Sequence, residues 1–122
     1  MAFISFVGGG LVGNLCTDTS SFHYVTSHLN SGNVKVMQAI VPVLGSASAL
    51  ATYNIMGRTV EQKVIGTATL LFIFSLEGMI FGMARSHQDP FYHHLSMSLI
   101  GPTIGGIAAG AIARSVDNRL RA

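Results

Sequence analysis

Charge is what this sequence lacks most. Seven lysines and arginines and five aspartates and glutamates make up 10% of its 122 residues, where soluble domains carry about 25%. That is too little polar surface to coat a soluble fold, and the mean hydropathy of +0.51 agrees. The formal net charge of +2 is too small and too scattered to argue for a nucleic-acid interface, and none is expected. Cys16 is the single cysteine, which leaves no disulfide framework and no C-x-x-C redox motif. With no G-x-S-x-G elbow and no P-loop, an enzyme is not expected. No Lys or Arg precedes Lys35. Ala2–Cys16 is therefore not expected to be a secretory signal, which needs a basic n-region, or a mitochondrial presequence, which would be Arg-rich and amphipathic.

What is present is apolar length. Hydrophobic residues make up 49% of the chain, and three runs approach the roughly 20 residues that cross a bilayer as a helix. They cover about 34–53, 64–84 and 95–113. Helix is the required form, because lipid offers no partner to a bare backbone polar group. The sequence thus predicts an all-α integral membrane protein with three transmembrane helices. Its expected organisation is a glycine-rich apolar segment and loop over 1–33, a bundle over 34–113 and a basic tail over 114–122. The stretch AFISFVGGGLVGNLC, Ala2–Cys16, is below the usual spanning length and is expected to lie against the bundle or dip partway into the membrane, the alternative being a fourth, short span that would move the extreme N-terminus. Its Gly8, Gly10 and Gly13 spell G-x-G-x-x-G. No acidic residue follows about 20 positions on, as a dinucleotide site requires, so these glycines are read as allowing close backbone packing.

The basic residues orient the bundle. With three spans, Arg58, Lys63, Arg114, Arg119 and Arg121 fall on one side and Lys35 and Arg85 on the other. The richer side is expected to face cytoplasm or matrix, with the C-terminus there and the N-terminal segment opposite. All five histidines then share the outer side: His23, His28, His87, His93 and His94. Imidazoles ligate zinc and copper, but HQDPFYHH has no metal-binding spacing. A cluster of His87, His93 and His94 remains a candidate, while no metal, haem or other cofactor is expected.

Small residues mark the packing faces. Gly101, Gly105, Gly106 and Gly110 recur along the third span, Gly45 and Ala49 along the first, and Gly78 and Gly82 along the second. In lipid, close backbone approach drives helix association. Three helices cannot use every such face internally, so at least one is expected to serve another subunit.

One residue does not belong in its span. Glu77 stands in TLLFIFSLEGMIFGMA with no cation nearby, roughly 10 Å below the outer end of its helix. Pro42 and Pro102 fall at a similar depth in the other two spans. A helical proline kinks its helix and frees the carbonyl four residues earlier, here those of Gln38 and Ser98. Burial without a cation favours the neutral acid, which could donate to either carbonyl. Glu77 thus has three readings: a hydrogen-bonded pin, a pair with another subunit's cation, or a proton carrier.

The stretch GRTVEQKVIGTATLLFIFSLEGMIFGM, from Gly57 to Met83, resembles the polar loop and carboxylate helix of rotary ATPase proteolipids. Arg58 and Glu77 carry that resemblance, which implies proton carriage at Glu77. The chain departs from the pattern in its first helix, its loop and its third helix. SSFHYVTSHL before the first span is faintly similar to the small membrane anchor of succinate dehydrogenase, without that family's haem-ligating His or its Asp-Tyr. The expected function is a small accessory subunit of a respiratory-chain or ATP-synthase complex in the mitochondrial inner membrane. Its expected partners are other transmembrane subunits and membrane lipids.

Overall fold

A computed structural model describes residues 1–121, apart from the side chain of His87. It contains five helices and, among the described residues, no strand: α1 (Ala2–Cys16), α2 (Thr19–Ser27), α3 (Ser31–Ile55), α4 (Val60–His87) and α5 (Pro90–Arg121). Side chains in the polar connections start these helices. Asp18 accepts from the Ser21 amide at 3.3 Å, and Asn30 from that of Asn33 at 2.9 Å. Thr59 and Gln62 form a reciprocal capping box before α4. Asp89 accepts from the Phe91 amide at 2.9 Å, with Pro90 at the first position of α5. Each cap satisfies an amide that has no partner within its helix. These caps start α3, α4 and α5 ahead of the apolar spans, and at its other end α5 runs past Ala113 to Arg121.

Three helices, α3, α4 and α5, are long and apolar enough to cross a membrane. At about 1.5 Å per residue they measure roughly 38–48 Å, more than a hydrocarbon core of about 30 Å. The short α1 packs along α3 and α5. Ser5 Oγ donates to the Ala49 carbonyl at 3.1 Å, and Ser46 Oγ donates to the Phe6 carbonyl at 2.7 Å. Further along, Gly13 meets Gly45 and Pro102, and Cys16 meets Gly101 and Gly105. So α1 runs antiparallel to both neighbours, which run parallel to each other with Gly45 against Gly106 and Ala49 against Gly110. Its position beside the middle of α3 brings the start of the chain to the end of the bundle that holds Ile55 and Arg121. The expectation that this segment lies against the bundle agrees with these contacts. Helix α2 caps that other end, where Val25, Met37 and Leu99 form a small apolar core.

Backbone contact sets this arrangement. A methyl on Gly9 would overlap the Ala49 side chain and the Gly45 carbonyl. One on Gly106 would stand 2.9 Å from Ser48 Cβ, and one on Gly110 2.9 Å from Ala49 Cα. The interior is glycine and hydroxyl, with Ser5, Ser46, Ser48, Thr52, Ser98 and Thr103 all buried. Large apolar side chains point outward, including Phe3, Leu15, Phe72 and Met79. Lipid contributes little hydrophobic drive between helices, so packing holds them together. An interhelical hydrogen bond adds only about 0.6 kcal/mol on average.

Helix α4 is the exception. Only 11% of its apolar window is buried, against 39% for α3 and 44% for α5. Gly66 packs on Ala51 and Ile55, while Gly78 and Gly82 have nothing within 4 Å.

Gly9→Leu should therefore cost more than the about 1–3 kcal/mol typical of overpacking, since backbone must move. Gly78→Leu should stay within about 0.5 kcal/mol of wild type. Unfolding free energies in mixed detergent micelles check both, and equal losses would contradict the packing.

Candidate functional site

The polar side chains gather at three levels. Midway along the bundle, α4 presents Glu77 to α5. The Thr103 hydroxyl bonds to Glu77 Oε1 and also to the Leu99 carbonyl one turn back, at 3.1 Å. Thr103 is buried and Glu77 is half-buried, at the edge of the α4–α5 seam. The partner of Glu77 is thus a side-chain hydroxyl. Neither carbonyl freed by a proline, that of Gln38 or that of Ser98, fills the role. Pro42 and Pro102 do lie inside α3 and α5, and both face the glycines of α1. Gly10 lies beside Pro42, and Gly13 beside Pro102.

At the α2 end, two separate stretches converge. Ser21 Oγ lies 3.2 Å from Asp18 Oδ2 and 3.1 Å from His94 Nδ1, which ties α2 to α5. The Tyr24 ring stacks on that of His28 with centroids 4.3 Å apart and lies tilted against that of His94 at 4.2 Å. His93 and His94 belong to the first turns of α5, so they are helical residues and not loop residues. Their rings are 5.5 Å apart. The side chain of His87, the third member of the expected cluster, lies outside the described residues. Among the described residues, no three His, Cys, Asp or Glu side chains gather as metal ligands. Beside this cluster an open hollow of about 280 Å³ is lined by Asn14, Thr17, Thr19, Phe22, Gln38 and Val41.

At the opposite end lies a cluster that the sequence analysis missed. Arg114 is buried, with its guanidinium carbon 3.6 Å from the centre of the Tyr53 ring. Its Nε donates to the Tyr53 carbonyl at 2.9 Å, and its Nη1 pairs with Asp117 Oδ2 at 3.4 Å. Asp117, also buried, accepts from the Tyr53 hydroxyl at 3.1 Å and pairs with Arg121 at 3.3 Å. The Tyr53 carbonyl belongs to the last turn of α3, where carbonyls lack intrahelical partners and a cation complements the helix dipole. Arg114 supplies both needs from another helix. Nη2 of Arg114 has no hydrogen-bond partner, and its stacking on the tyrosine ring supplies a cation–π contact. The spacing of Arg114, Asp117 and Arg121, three and then four residues apart, places them on one helix face. That spacing was the available signal. The link to Tyr53 was not visible, because it joins residues 61 positions apart.

None of the three levels pairs a nucleophile with a base across an open cavity. Each joins two helices. The expected packing residues Gly45, Ala49, Gly101, Gly105, Gly106 and Gly110 come together around α1, α3 and α5, and Gly78 and Gly82 do not join them.

Removing one member of a buried ion pair strands the other, whereas replacing both with apolar groups can be neutral. Arg114→Met should lower the thermal midpoint in detergent more than the double variant Arg114→Met/Asp117→Leu does. A double variant worse than the single would contradict this account of the cluster.

The chain matches no protein-family model, and no curated protein or solved structure matches it significantly.

Proposed function

We propose that this protein is a small structural subunit that assembles with other transmembrane subunits in a larger membrane complex. The observation that carries this reading is the contrast between the two sets of glycines. Gly9, Gly10 and Gly13 of α1, Gly45 of α3 and Gly105, Gly106 and Gly110 of α5 are sealed inside the chain, while Gly78 and Gly82 stand open on a helix whose apolar window is only 11% buried. A small-residue face in an apolar helix is suited to another transmembrane helix. Polar latches at three depths suit a rigid part more than a catalyst.

The energy-transducing membrane of a mitochondrion is the proposed home. In support stand the chain's small size, its packing-rich helices and its intramembrane acid. The end that carries Arg58, Lys63, Arg119 and Arg121 is placed on the matrix side, against Lys35 and Arg85 opposite. No cofactor and no catalytic residue is assigned.

A second reading is an autonomous proton carrier that uses Glu77. Its support is specific: the carboxyl sits at the edge of a seam and within the span, where ionisable groups often mark ion paths.

Native sizing after mild detergent extraction separates the two. Migration with a large assembly of unlike subunits, retained in Glu77→Gln, is the expected result. Migration as an oligomer of itself, with proton flux in vesicles that Glu77→Gln abolishes, would replace the first reading with the second.

A further inference from the structure

Asn14, Thr19 and Gln38 share the open hollow of about 280 Å³ where α1, α2 and α3 meet. Among the described residues, none of these three side chains has a hydrogen-bond partner within the chain. Thr17 lines the hollow too, but its hydroxyl is engaged, donating to the Gly13 carbonyl at 3.0 Å. Two amides and a hydroxyl are therefore free to bond a ligand. Phe22 and Val41 supply the apolar part of the lining.

Depth decides what that ligand is. Gln38 follows Ser31, the start of α3, by seven residues, roughly 10 Å along the axis. Centred on a hydrocarbon core of roughly 30 Å, a helix of about 38 Å extends about 4 Å beyond each edge. Gln38 thus sits just inside the edge, where an unpaired amide costs free energy that a hydrogen bond recovers. Lys35, three residues earlier and on the same helix face, stands at the edge itself. It is exposed and makes no ion pair among the described residues. Asp18, between the two lining threonines, has its carboxylate engaged by the Ser21 amide and hydroxyl.

Below the hollow, α1 continues with an apolar strip. Leu11, Val7 and Phe3 precede Asn14 by three, seven and eleven residues, which puts them on one face with it. All three are exposed. The strip runs roughly 16 Å from Asn14, about the depth of one leaflet's hydrocarbon. The order is a cation at the edge, amides beneath it and an apolar strip beneath those. A phospholipid presents phosphate, ester carbonyls and acyl chain in that same order.

We infer that the hollow between α1, α2 and α3 is a binding site for one phospholipid, with an acyl chain along Leu11, Val7 and Phe3. Asn14 and Gln38 donate amide N–H groups to the ester carbonyls, and Lys35 faces the phosphate. Water alone would satisfy the amides but would use neither the cation nor the strip aligned with them. Helix α1 packs on α3 and α5 and not on α4, so the site lies apart from Gly78 and Gly82 and does not rest on the subunit reading.

The test adds phosphatidylglycerol to the delipidated full chain in mild detergent and counts bound lipid by native mass spectrometry. The expected result is one lipid retained per chain under conditions that strip any others. Asn14→Leu/Gln38→Leu should weaken that retention about tenfold, the loss expected for two hydrogen bonds. Lys35→Gln should weaken it about two- to fivefold and leave retention of diacylglycerol, which has no phosphate, unchanged. Ser75→Leu on α4 should change neither. A second measurement uses the wild-type chain in phosphatidylcholine vesicles doped with phosphatidylglycerol that carries a diazirine midway along one acyl chain. Light expels dinitrogen, and the carbene should insert at Leu11 or Val7. No retained lipid, which would mean that the hollow holds water alone, would overturn the inference. Equal retention in the double variant, or label spread equally over α4, would do the same. Native sizing reads subunit association and none of these signals, so the two tests fail separately.

Discussion

Everything in this fold depends on three backbones meeting without side chains between them. Gly9 and Gly13 of α1, Gly45 of α3 and Gly106 of α5 share one contact region. At each of them a single methyl group would require backbone to shift. In lipid, where the hydrophobic effect gives helices little reason to associate, this approach lets dispersion and short hydrogen bonds act over the whole interface. The reciprocal bonds from Ser5 to Ala49 and from Ser46 to Phe6 follow from that proximity. They fix the register and contribute less energy than the packing does.

Around this core the polar side chains act at separate depths. Ser21 and His94 hold α2 over one end of the bundle. Thr103 and Glu77 hold α4 to α5 near the middle. Arg114, Asp117 and Tyr53 lock α3 to α5 at the other end. Of the long helices, α4 has the least burial, and it is held by Gly66 against Ala51 and Ile55 of α3 and by Glu77 against Thr103 of α5. The same looseness leaves Gly78 and Gly82 of α4 uncovered, the feature on which the proposed function rests.

The three long helices were legible because hydropathy and bilayer length constrain them almost alone, and the caps that extend them are local. Helix α1 was only partly legible. Of the glycines read as backbone-packing residues, Gly10 and Gly13 are buried and Gly8 is not, while Gly9, which was not singled out, is buried as well. Its 15 residues, however, are fewer than hydropathy needs to declare a span, so its course along α3 and α5 was not fixed by the sequence. Partners across helices were the least legible. Thr103 is one of many hydroxyls in the chain, and nothing local marks it as the neighbour of Glu77. The proline argument supplied a plausible acceptor at the right depth on the wrong atom. Arg114 looked like the start of a basic tail because its spacing to Asp117 is local while its burial against Tyr53 is not.

The placement of α1 is the central claim, and sidedness tests it most directly. In a Cys16→Ser background, single cysteines at positions 2, 20 and 120 would be labelled in sealed vesicles with a membrane-impermeant thiol reagent. If α1 runs antiparallel to α3 and α5 at membrane depth, Ala2→Cys and Leu120→Cys react from the same side and Ser20→Cys from the other. Reaction of Ala2→Cys from the side of Ser20→Cys would contradict the account, because α1 would then lie outside the bundle that its glycines are shown to seal.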